Sequence, residues 1–523
     1  MLRRFTFLLL VLAALPAWSQ DRPKGEWVFN MFVGVGNVTF RADVEDDGTN
    51  FRFRPKGTAQ VKFISGKFED GKITMVGTVS VGDMDVVGTL KDGKISGTWD
   101  AKSGAMRGNW SAVPATPRVE MTNDERIKQF KDLWTNIRDR YIFFKDKNLS
   151  FDAIIKKYGD QIKNAKNDAD FYAIVRRSIT ELNDGHASLV ANPTGGYPGK
   201  APYDVRFAEG KVTIVKLQPS AEKAGLQIGD EIIEINGKTI AEALDAAAKE
   251  RAFPVAAARE QRASQAIGNG DLTEPLKLKI KRAKETKAIE VERIEAGPPG
   301  GDPSEVKFED KGDGVGYIKV ASFLPPTVGK NFAKAMDDAV AAKSKSLILD
   351  MRGNGGGALQ NVQSMIGRIL GHDGTGTAMW MRGPDGMPAL NPSSMTILGK
   401  IKPNAEKDKQ FSGTIVLLID ELSFSATEVF AAVAKENKLV TIFGRTTGGG
   451  AGAVAFHRIR EEAVVAYSLN EVRGAGGTKI EGAGIAPDFQ VPLTIDEALG
   501  KRDLTLERAK KWLIEQMAIK PAA

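Results

Sequence analysis

Ser425 stands where an apolar run gives way to a helical pattern, and a hydroxyl at such a junction is typical of a nucleophile. The run Thr414 to Ile419 predicts a buried strand, because it is short, continuous and bounded by polar residues. After a break at 421–423 the spacing becomes helical, and the free N–H groups of a helix's first turn suit a developing oxyanion. The alternative is that Ser423 or Ser425 only caps the helix, with Glu428 completing a capping box.

A general base for this serine is sought among the three histidines of the chain, His186, His372 and His457. His186 directly follows Asp184-Gly185, just past a predicted helix that ends near residue 182, on a turn that Gly185 permits. An imidazole with a pKa near 6.5 can take a serine proton at neutral pH, although a lone histidine in a turn is more often solvated. His372 lies in a polar turn and His457 in an alternating strand, and neither is expected to be catalytic.

Glycines at the end of a second predicted strand could supply backbone donors. The strand 346–350 runs into Met351-Arg352-Gly353-Asn354-Gly355-Gly356-Gly357, and a helix is predicted from Ala358. The run lacks the ending of a phosphate-binding loop and the spacing of a dinucleotide fingerprint. Glycines also let backbone N–H groups approach a reacting carbonyl, and this is the interpretation that we favour for the run.

Composition limits the function class. The chain has 523 residues, a net charge of +7 and no cysteine, which excludes disulfides, a cysteine nucleophile and thiolate metal sites. No histidine pair has metal-ligand spacing and no acidic cluster resembles a calcium loop, so we expect no metal and no organic cofactor. No basic block interleaved with aromatics supports nucleic-acid binding.

Five segments are predicted along the chain. Residues 1–19 read as a secretory signal peptide, with two arginines before an apolar run, and a periplasmic or extracellular protein without a permanent membrane span is expected. Residues 20–113 carry Asp-Gly turns at 70–71 and 92–93 between alternating runs, which predicts an accessory module of antiparallel hairpins. A helical segment follows at 114–197, then a small domain at 198–296, and an α/β core with a C-terminal helix occupies 297–523.

The small domain resembles a PDZ domain. The resemblance lies in PSAEKAGLQIGDEIIEINGK, residues 219–238, which predicts a short helix and then a strand that ends in an Asn-Gly turn. It implies a module that adds an extended peptide to a sheet edge and captures its C-terminal carboxylate, with 203–207 as the candidate carboxylate loop. The alternative is a domain that acts only as a spacer or gate.

The ordered motifs resemble the C-terminal-processing (tail-specific) and tricorn-core family of serine peptidases, over roughly residues 118–500. The resemblance implies an α/β multidomain protein with a crotonase-like ββα protease core, an inserted PDZ-like domain and an N-terminal helical segment, to which this chain adds its β module. The motifs are Asp184-Gly185-His186, the PDZ-like insert, 349–357, Ser425-Ala426-Thr427-Glu428, 444–449 and 480–488.

Site residues carry over position by position. Ser425 matches the family's nucleophile, and the N–H groups of Ala426 and of Gly355 or Gly356 match its oxyanion hole. One branch uses a lysine 25 residues after the serine as general base, and this chain has Gly450 there. The tricorn-like branch uses a histidine and a distant glutamate, to which His186 and Glu481 correspond, but the serine that precedes that histidine is Gly185 here.

The resemblance therefore implies a secreted or periplasmic serine endopeptidase that forms an acyl-enzyme on Ser425. Its partners would be polypeptide substrates, captured in part by their C-termini at the PDZ-like domain. The first alternative is a catalytically silent protein that binds a peptide or hydrophobic ligand on the same scaffold, since the lysine is missing and a β module is added. A transferase or hydratase of crotonase type rests on the shared fold only and leaves the PDZ-like insert unexplained.

Overall fold

The computed structural model describes residues 22–519 apart from 33–36, 59, 105, 192–195, 299, 384, 391–398 and 461–462. The predicted signal peptide, residues 1–19, lies outside the described residues. Within the described part of the chain, no helix is both long enough and apolar enough to cross a bilayer.

The N-terminal region is an antiparallel sheet of strand order β3-β2-β1-β8-β7-β6-β5-β4, and its two end strands lie against each other. Tight turns at Asp70-Gly71 and Asp92-Gly93, all with positive φ, join the hairpins, as the sequence predicted. Alternate side chains fill an aromatic interior in which Phe29 stacks on Trp110. The strands are β1 Glu26–Phe32, β2 Asn37–Asp46, β3 Phe51–Pro55, β4 Val61–Glu69, β5 Lys72–Val79, β6 Gly82–Lys91, β7 Lys94–Ala101 and β8 Arg107–Pro114.

The next segment is helical and presents the turn that carries His186. The elements are α1 Asn123–Arg140, α2 Phe151–Lys163, α3 Asp168–Ile179, a 3₁₀ turn Thr180–Leu182 and the strand β9 Ser188–Ala191. Thr122 and Glu125 form the predicted capping box at the start of α1. The buried faces of these helices share one hydrophobic core with strands from the C-terminal region. This shared core fixes the position of the His186 turn relative to the C-terminal region.

The PDZ-like domain is a sheet of order β11-β12-β13-β16-β17, in which β11 is an edge strand. Helix α6 packs against β11. The Tyr203–Phe207 region, predicted to hold a carboxylate loop, is part of strand β11, which pairs with β12 and has a bulge between Asp204 and Val205. The elements are β10 Pro198–Lys200, β11 Tyr203–Ala208, β12 Lys211–Leu217, α4 Pro219–Lys223, β13 Glu231–Ile235, β14 Lys238–Thr239, α5 Ile240–Glu250, α6 Ala256–Ser264, β15 Gly270–Asp271, β16 Leu276–Arg282, β17 Glu285–Val291 and β18 Ile294–Glu295.

The C-terminal core contains a sheet of order β19-β20-β21-β26-β27-β31, parallel from β20 to β31. Helices α7, α8 and α9 bury their apolar faces on one side of it, and α11 covers the other. The carboxyl ends of parallel strands meet at one edge, which is where loops of α/β proteins usually form sites.

The core strands are β19 Phe308–Asp310, β20 Val315–Lys319, β21 Ser346–Asp350, β22 Gly374–Thr375, β23 Thr377–Arg382, β24 Pro388–Leu390, β25 Lys400–Ile401, β26 Thr414–Ile419, β27 Thr441–Gly444, β28 Val454–Ile459, β29 Ala463–Ser468, β30 Glu471–Gly474 and β31 Phe489–Gln490. The helices are α7 Val328–Ala341, α8 Leu359–Ile369, a 3₁₀ turn Lys407–Lys409, α9 Ala426–Glu436, α10 Ile495–Ala498 and α11 Leu504–Ile519.

Candidate active site

Ser425 occupies a strained turn between β26 and α9. Its backbone has φ 55° and ψ −119°, a combination that costs about 1–3 kcal/mol for a residue with a side chain and that clusters at functional sites. Two bonds maintain it, since the Ser425 N–H lies 3.0 Å from the carbonyl of Gly450 and 3.0 Å from Oε2 of Glu428. The turn holds the hydroxyl clear of the strand and beside the first turn of α9.

His186 faces this hydroxyl, with its Nε2 3.3 Å from Ser425 Oγ. Its backbone N–H donates to Oδ1 of the buried Asp184 at 2.8 Å, and its ring packs on that of Phe424 at a centroid distance of 4.8 Å. Burial lowers the pKa of His186, with smaller contributions from the positive charges of Arg251 and Arg262, while Asp184 acts in the opposite sense. A neutral imidazole beside the hydroxyl has the protonation state of a general base.

Glu481 lies behind the histidine. A carboxylate oxygen of Glu481, one of Asp184 and a ring nitrogen of His186 all lie within 4.8 Å of one another. Glu481 is 3% exposed, and among the described residues neither of its carboxylate oxygens has a hydrogen-bond partner. Burial, and then the charge of Asp184, raise the pKa of Glu481 well above its usual value, while Lys147 lowers it.

Lys147, which the sequence analysis missed, lies between Glu481 and the His186 turn. Its Nζ is 3.6 Å from Oε1 of Glu481 and donates to the carbonyl oxygens of Leu182 and Asn183, each at 2.9 Å. These hydrogen bonds fix the backbone of residues 182–183, just before His186. The lysine also places a positive charge beside the buried carboxylate of Glu481. No motif in the sequence marks it, because Leu182, Asn183 and Glu481 lie 35, 36 and 334 positions away.

Within the described residues, two backbone N–H groups beside Ser425 are free to donate to an oxyanion. The N–H of Gly356 donates to Oδ1 of Asn354 at 2.9 Å, so this group is occupied. For Ala426 and Gly355, no acceptor is found within the residues that the structure describes. Gly356 still has to be glycine, because a Cβ there would lie 2.8 Å from the Ala426 nitrogen and from the Ser425 Cβ.

Glu428 is fully buried one helical turn after Ser425 and joins the Ser425 turn to the 447–450 loop. Its carboxylate accepts from the hydroxyl of Thr447 and from the N–H groups of Gly449, Gly450 and Ser425. Burial raises the pKa of Glu428 to about 7, and these four donors act in the opposite direction. The capping box predicted for Ser425 and Glu428 is present, and the Glu428 carboxylate also binds the 447–450 loop, so that it supports the Ser425 turn.

Models of three known protein families match successive parts of the chain. The model of peptidase family S41 matches residues 314–491, the tricorn protease C1 domain matches 122–179 and the PDZ domain matches 196–252. The chain carries an S41 peptidase domain, preceded by a tricorn C1 domain and a PDZ domain. It is a serine peptidase of the carboxy-terminal processing type with a PDZ domain.

Relatives of this S41 peptidase include the carboxy-terminal processing protease CtpB of Bacillus subtilis (strain 168), 25% identical over 76% of each chain. CtpA of the same organism is 27% identical over 55% of each chain. The structure of mature CPAF complexed with lactacystin covers 75% of this chain and 99% of that one at 17% identity and a TM-score of 0.62, which shows a shared fold.

Gly450 occupies the position where one branch of the family has its lysine base. The space around this glycine is limited. A Cβ on Gly450 would lie 2.6 Å from the Phe424 ring and 3.4 Å from Nδ1 of His186. The first atom of a side chain at 450 would therefore clash with the Phe424 ring, whereas its distance from His186 is that of an ordinary contact.

Gly185 was expected to be needed for the backbone conformation of the turn before His186, and this reason was wrong. The left-handed residue after the 3₁₀ turn is Asn183, with φ 42°, and not Gly185. Gly185 is required by a close approach instead, since a Cβ there would lie 2.8 Å from the Phe424 ring. The other histidines lie elsewhere, His372 in an exposed turn and His457 on strand β28.

We expect Glu428→Gln to damage both stability and catalysis. An amide offers one acceptor oxygen and directs an NH₂ group at backbone N–H donors, so at least about 2 kcal/mol of unfolding free energy should be lost. A shift of the Ser425 turn should also lower kcat by roughly 10²-fold. Urea unfolding and peptide hydrolysis measure the two effects.

The matched control is Glu436→Gln on the same helix. Glu436 also accepts backbone N–H groups, those of Gly476 and Thr478, but at the far end of α9. This variant should retain kcat. Equal losses of activity in both variants would contradict a specific role of Glu428 at the Ser425 turn.

Proposed function

We propose that this protein is an exported serine endopeptidase that cleaves polypeptides through an acyl-enzyme on Ser425, with His186 as general base and Glu481 as its supporting acid. The observation that carries the proposal is the 3.3 Å separation of His186 Nε2 and Ser425 Oγ at a strained turn. Nucleophile and base within hydrogen-bond reach, the base backed by a third group, form the arrangement that activates a weak hydroxyl nucleophile.

The catalytic cycle follows from these positions. His186 Nε2 takes the Ser425 proton while Oγ attacks the peptide carbonyl, and the oxyanion accepts from the N–H groups of Ala426 and Gly355. His186 then donates that proton to the leaving amine, and the acyl-enzyme forms. In the second half His186 takes a proton from water, the hydroxide attacks the ester, and the proton returns to Ser425 as the acid product leaves. The positive end of α9 favours both oxyanions.

Glu481 and Lys147 are proposed to position and stabilise His186 rather than to touch the substrate. When His186 becomes an imidazolium, the charge of Asp184, which raises the pKa of His186, stabilises it in a poorly solvated site. Glu481, whose pKa burial raises, adds to this stabilisation in its ionised form. Lys147 favours the ionised form of Glu481. The tricorn-like arrangement with a serine before the histidine is not needed for this step, and Gly185 supplies no side chain to it.

The PDZ-like domain is proposed to capture substrate. Strand β11 is an edge strand and α6 runs beside it, and this pairing of a sheet edge with a helix suits the addition of an extended peptide. Part of this edge is occupied, because the N–H of Phe207 donates to Oε1 of Gln261 on α6 at 3.0 Å. Peptide C-termini are the proposed ligands, and the N-terminal sequence supports a periplasmic or extracellular location for the encounter.

Labelling with a fluorophosphonate tests the proposal against the alternative of a catalytically silent binding protein. A phosphonate reacts only with a serine that a neighbouring base has activated. The native protein should acquire one adduct, located on the peptide that contains Ser425 by mass spectrometry. Cleavage of casein should fall in proportion to the labelled fraction.

The heat-denatured protein is the control, and it should remain unlabelled because the His186–Ser425 pair no longer exists. A native protein that binds peptides but forms no adduct on Ser425 would overturn the catalytic proposal and favour the binding protein.

A further inference from the structure

A pocket of about 450 Å³ adjoins Ser425, and two arginines face it. One wall comes from the catalytic core and the other from the stretch of the PDZ-like domain around α6. The residues that the argument uses are Gly353, Gly355 and Phe424 of the core, and Arg251, Phe253 and Arg262 of the PDZ-like domain. The pocket therefore includes a residue of the proposed oxyanion hole and the residue that precedes the nucleophile.

Neither arginine forms an ion pair with a carboxylate of the described residues. Among the described residues, no carboxylate lies within 4 Å of the guanidinium group of Arg251 or Arg262. Arg262 donates Nε–H to the carbonyl of Glu421 at 3.0 Å and stacks 4.5 Å from the Phe424 ring centre, which accounts for its position. Arg251 makes no such contact. Its side chain is exposed toward the pocket, yet the surrounding protein is close enough that burial lowers its pKa.

The positive charges of Arg251 and Arg262 influence the protonation of His186. Phe424 lies between Arg262 and the base, since its ring contacts both the imidazole of His186 and the guanidinium of Arg262. Both cations also lower the pKa of His186. An anion held between them would thus lie one aromatic ring away from the nucleophile and its base.

We propose that the pocket lined by Arg251 and Arg262 is a substrate subsite that takes a carboxylate close to the scissile bond. The carboxylate is either the side chain of an aspartate or glutamate or the free C-terminus of the substrate chain. This inference rests on the proposed peptidase function and adds a substrate class to it. A peptide with a neutral group at this position would leave the two cations without a carboxylate partner.

The geometry of arginine supports this assignment. A guanidinium presents N–H groups in a planar fork that matches the two oxygens of a carboxylate, and it cannot lose its charge in a protein. Charge-assisted hydrogen bonds of this kind are about twice as strong as neutral ones. Arg251 is the diagnostic residue, because no hydrogen bond or ion pair with the described residues requires a guanidinium at that position.

Matched peptides test the proposal. Cleavage sites in a peptide library are first located by mass spectrometry, and each substrate is then made with Glu or Gln at every position near the scissile bond. Each is also made as the free acid and as the C-terminal amide. We expect kcat/KM to be higher by roughly tenfold or more for Glu over Gln at one position, or for the acid over the amide.

Variants then assign the preference to the pocket. Arg251→Gln should bring the ratio close to one and Arg251→Lys should keep part of it, because lysine retains the charge without the fork. Arg259→Gln is the matched control. Arg259 lies on α6 but pairs with Asp245, so its loss should leave the ratio unchanged.

The outcomes separate this inference from the function on which it rests. A Glu preference identifies a side-chain carboxylate, and an acid preference identifies the substrate C-terminus. Ratios near one in the unmodified enzyme, or a ratio that survives in Arg251→Gln, overturn the subsite while Ser425 labelling still supports the peptidase. Absence of both cleavage and labelling overturns the proposed function itself.

Discussion

Ser425→Ala is expected to lower kcat/KM for peptide hydrolysis by roughly 10⁴–10⁶-fold, to the level of background hydrolysis. The variant removes only the hydroxyl, whose contact is with Nε2 of His186. The backbone bonds from the Ser425 N–H to Glu428 and Gly450 remain, so the turn should persist. Steady-state kinetics with a fluorogenic peptide measure the loss, and thermal unfolding should show an almost unchanged midpoint.

Ser423→Ala is the matched control, since Ser423 was the other candidate cap of the helix. Its hydroxyl is fully buried, donates to the carbonyl of Met351 at 2.9 Å and accepts from the N–H of Asp420 at 3.1 Å. This variant should lose about 1–3 kcal/mol of stability yet retain turnover below its unfolding temperature. Substantial hydrolysis by Ser425→Ala would rule Ser425 out as the nucleophile.

His186→Gln is expected to lower kcat by roughly 10⁴-fold, because the hydroxyl of Ser425 would lose the group that accepts its proton. Substrate binding should change much less, so KM should stay within a few-fold of its original value. Stopped assays at high enzyme concentration can measure the residual rate. His372→Gln is the control, since His372 lies in an exposed turn where its Nδ1 is 2.9 Å from the neighbouring Asp373 carbonyl oxygen.

The pH profile of the unmodified enzyme gives a second measure of the same residue. A general base works in its neutral form, so kcat/KM rises as pH increases through the pKa of His186. Burial lowers this pKa, and the charges of Arg251 and Arg262 lower it further against the opposing effect of Asp184. The acid limb should therefore lie below pH 6.5, the usual value for histidine.

The acid limb should disappear from the residual activity of His186→Gln, because no group at 186 then titrates. A limb that stays in place in this variant would assign the titration to another group. Glu481 and Glu428 are the candidates for it, since burial raises the pKa of both.

The elements that carry the proposed site could be predicted from local sequence. The strands Ser346–Asp350 and Thr414–Ile419 have the bounds that the apolar runs indicated, and the Asp-Gly hairpins form where they were expected. The reason is that strand periodicity and turn chemistry depend on residues only a few positions apart. The ordered motifs also indicated the S41 family before any geometry was known.

Only the tertiary structure decided how distant groups meet around Ser425. His186 lies 239 positions before the serine, and Lys147 lies 334 positions before Glu481, so no local pattern could relate them. The four donors of Glu428 come partly from a loop about 20 residues away, and the unpaired arginines come from another domain.

Sequence alone therefore determined which residue types were available and on which elements they lie. Which of these residues act together was determined by burial, close approach and shared hydrogen bonds. These features depend on packing between helices and strands, and not on the sequence within a single helix or strand. Gly185 illustrates the difference: the sequence showed a glycine in a turn, but the requirement for it comes from the ring of Phe424.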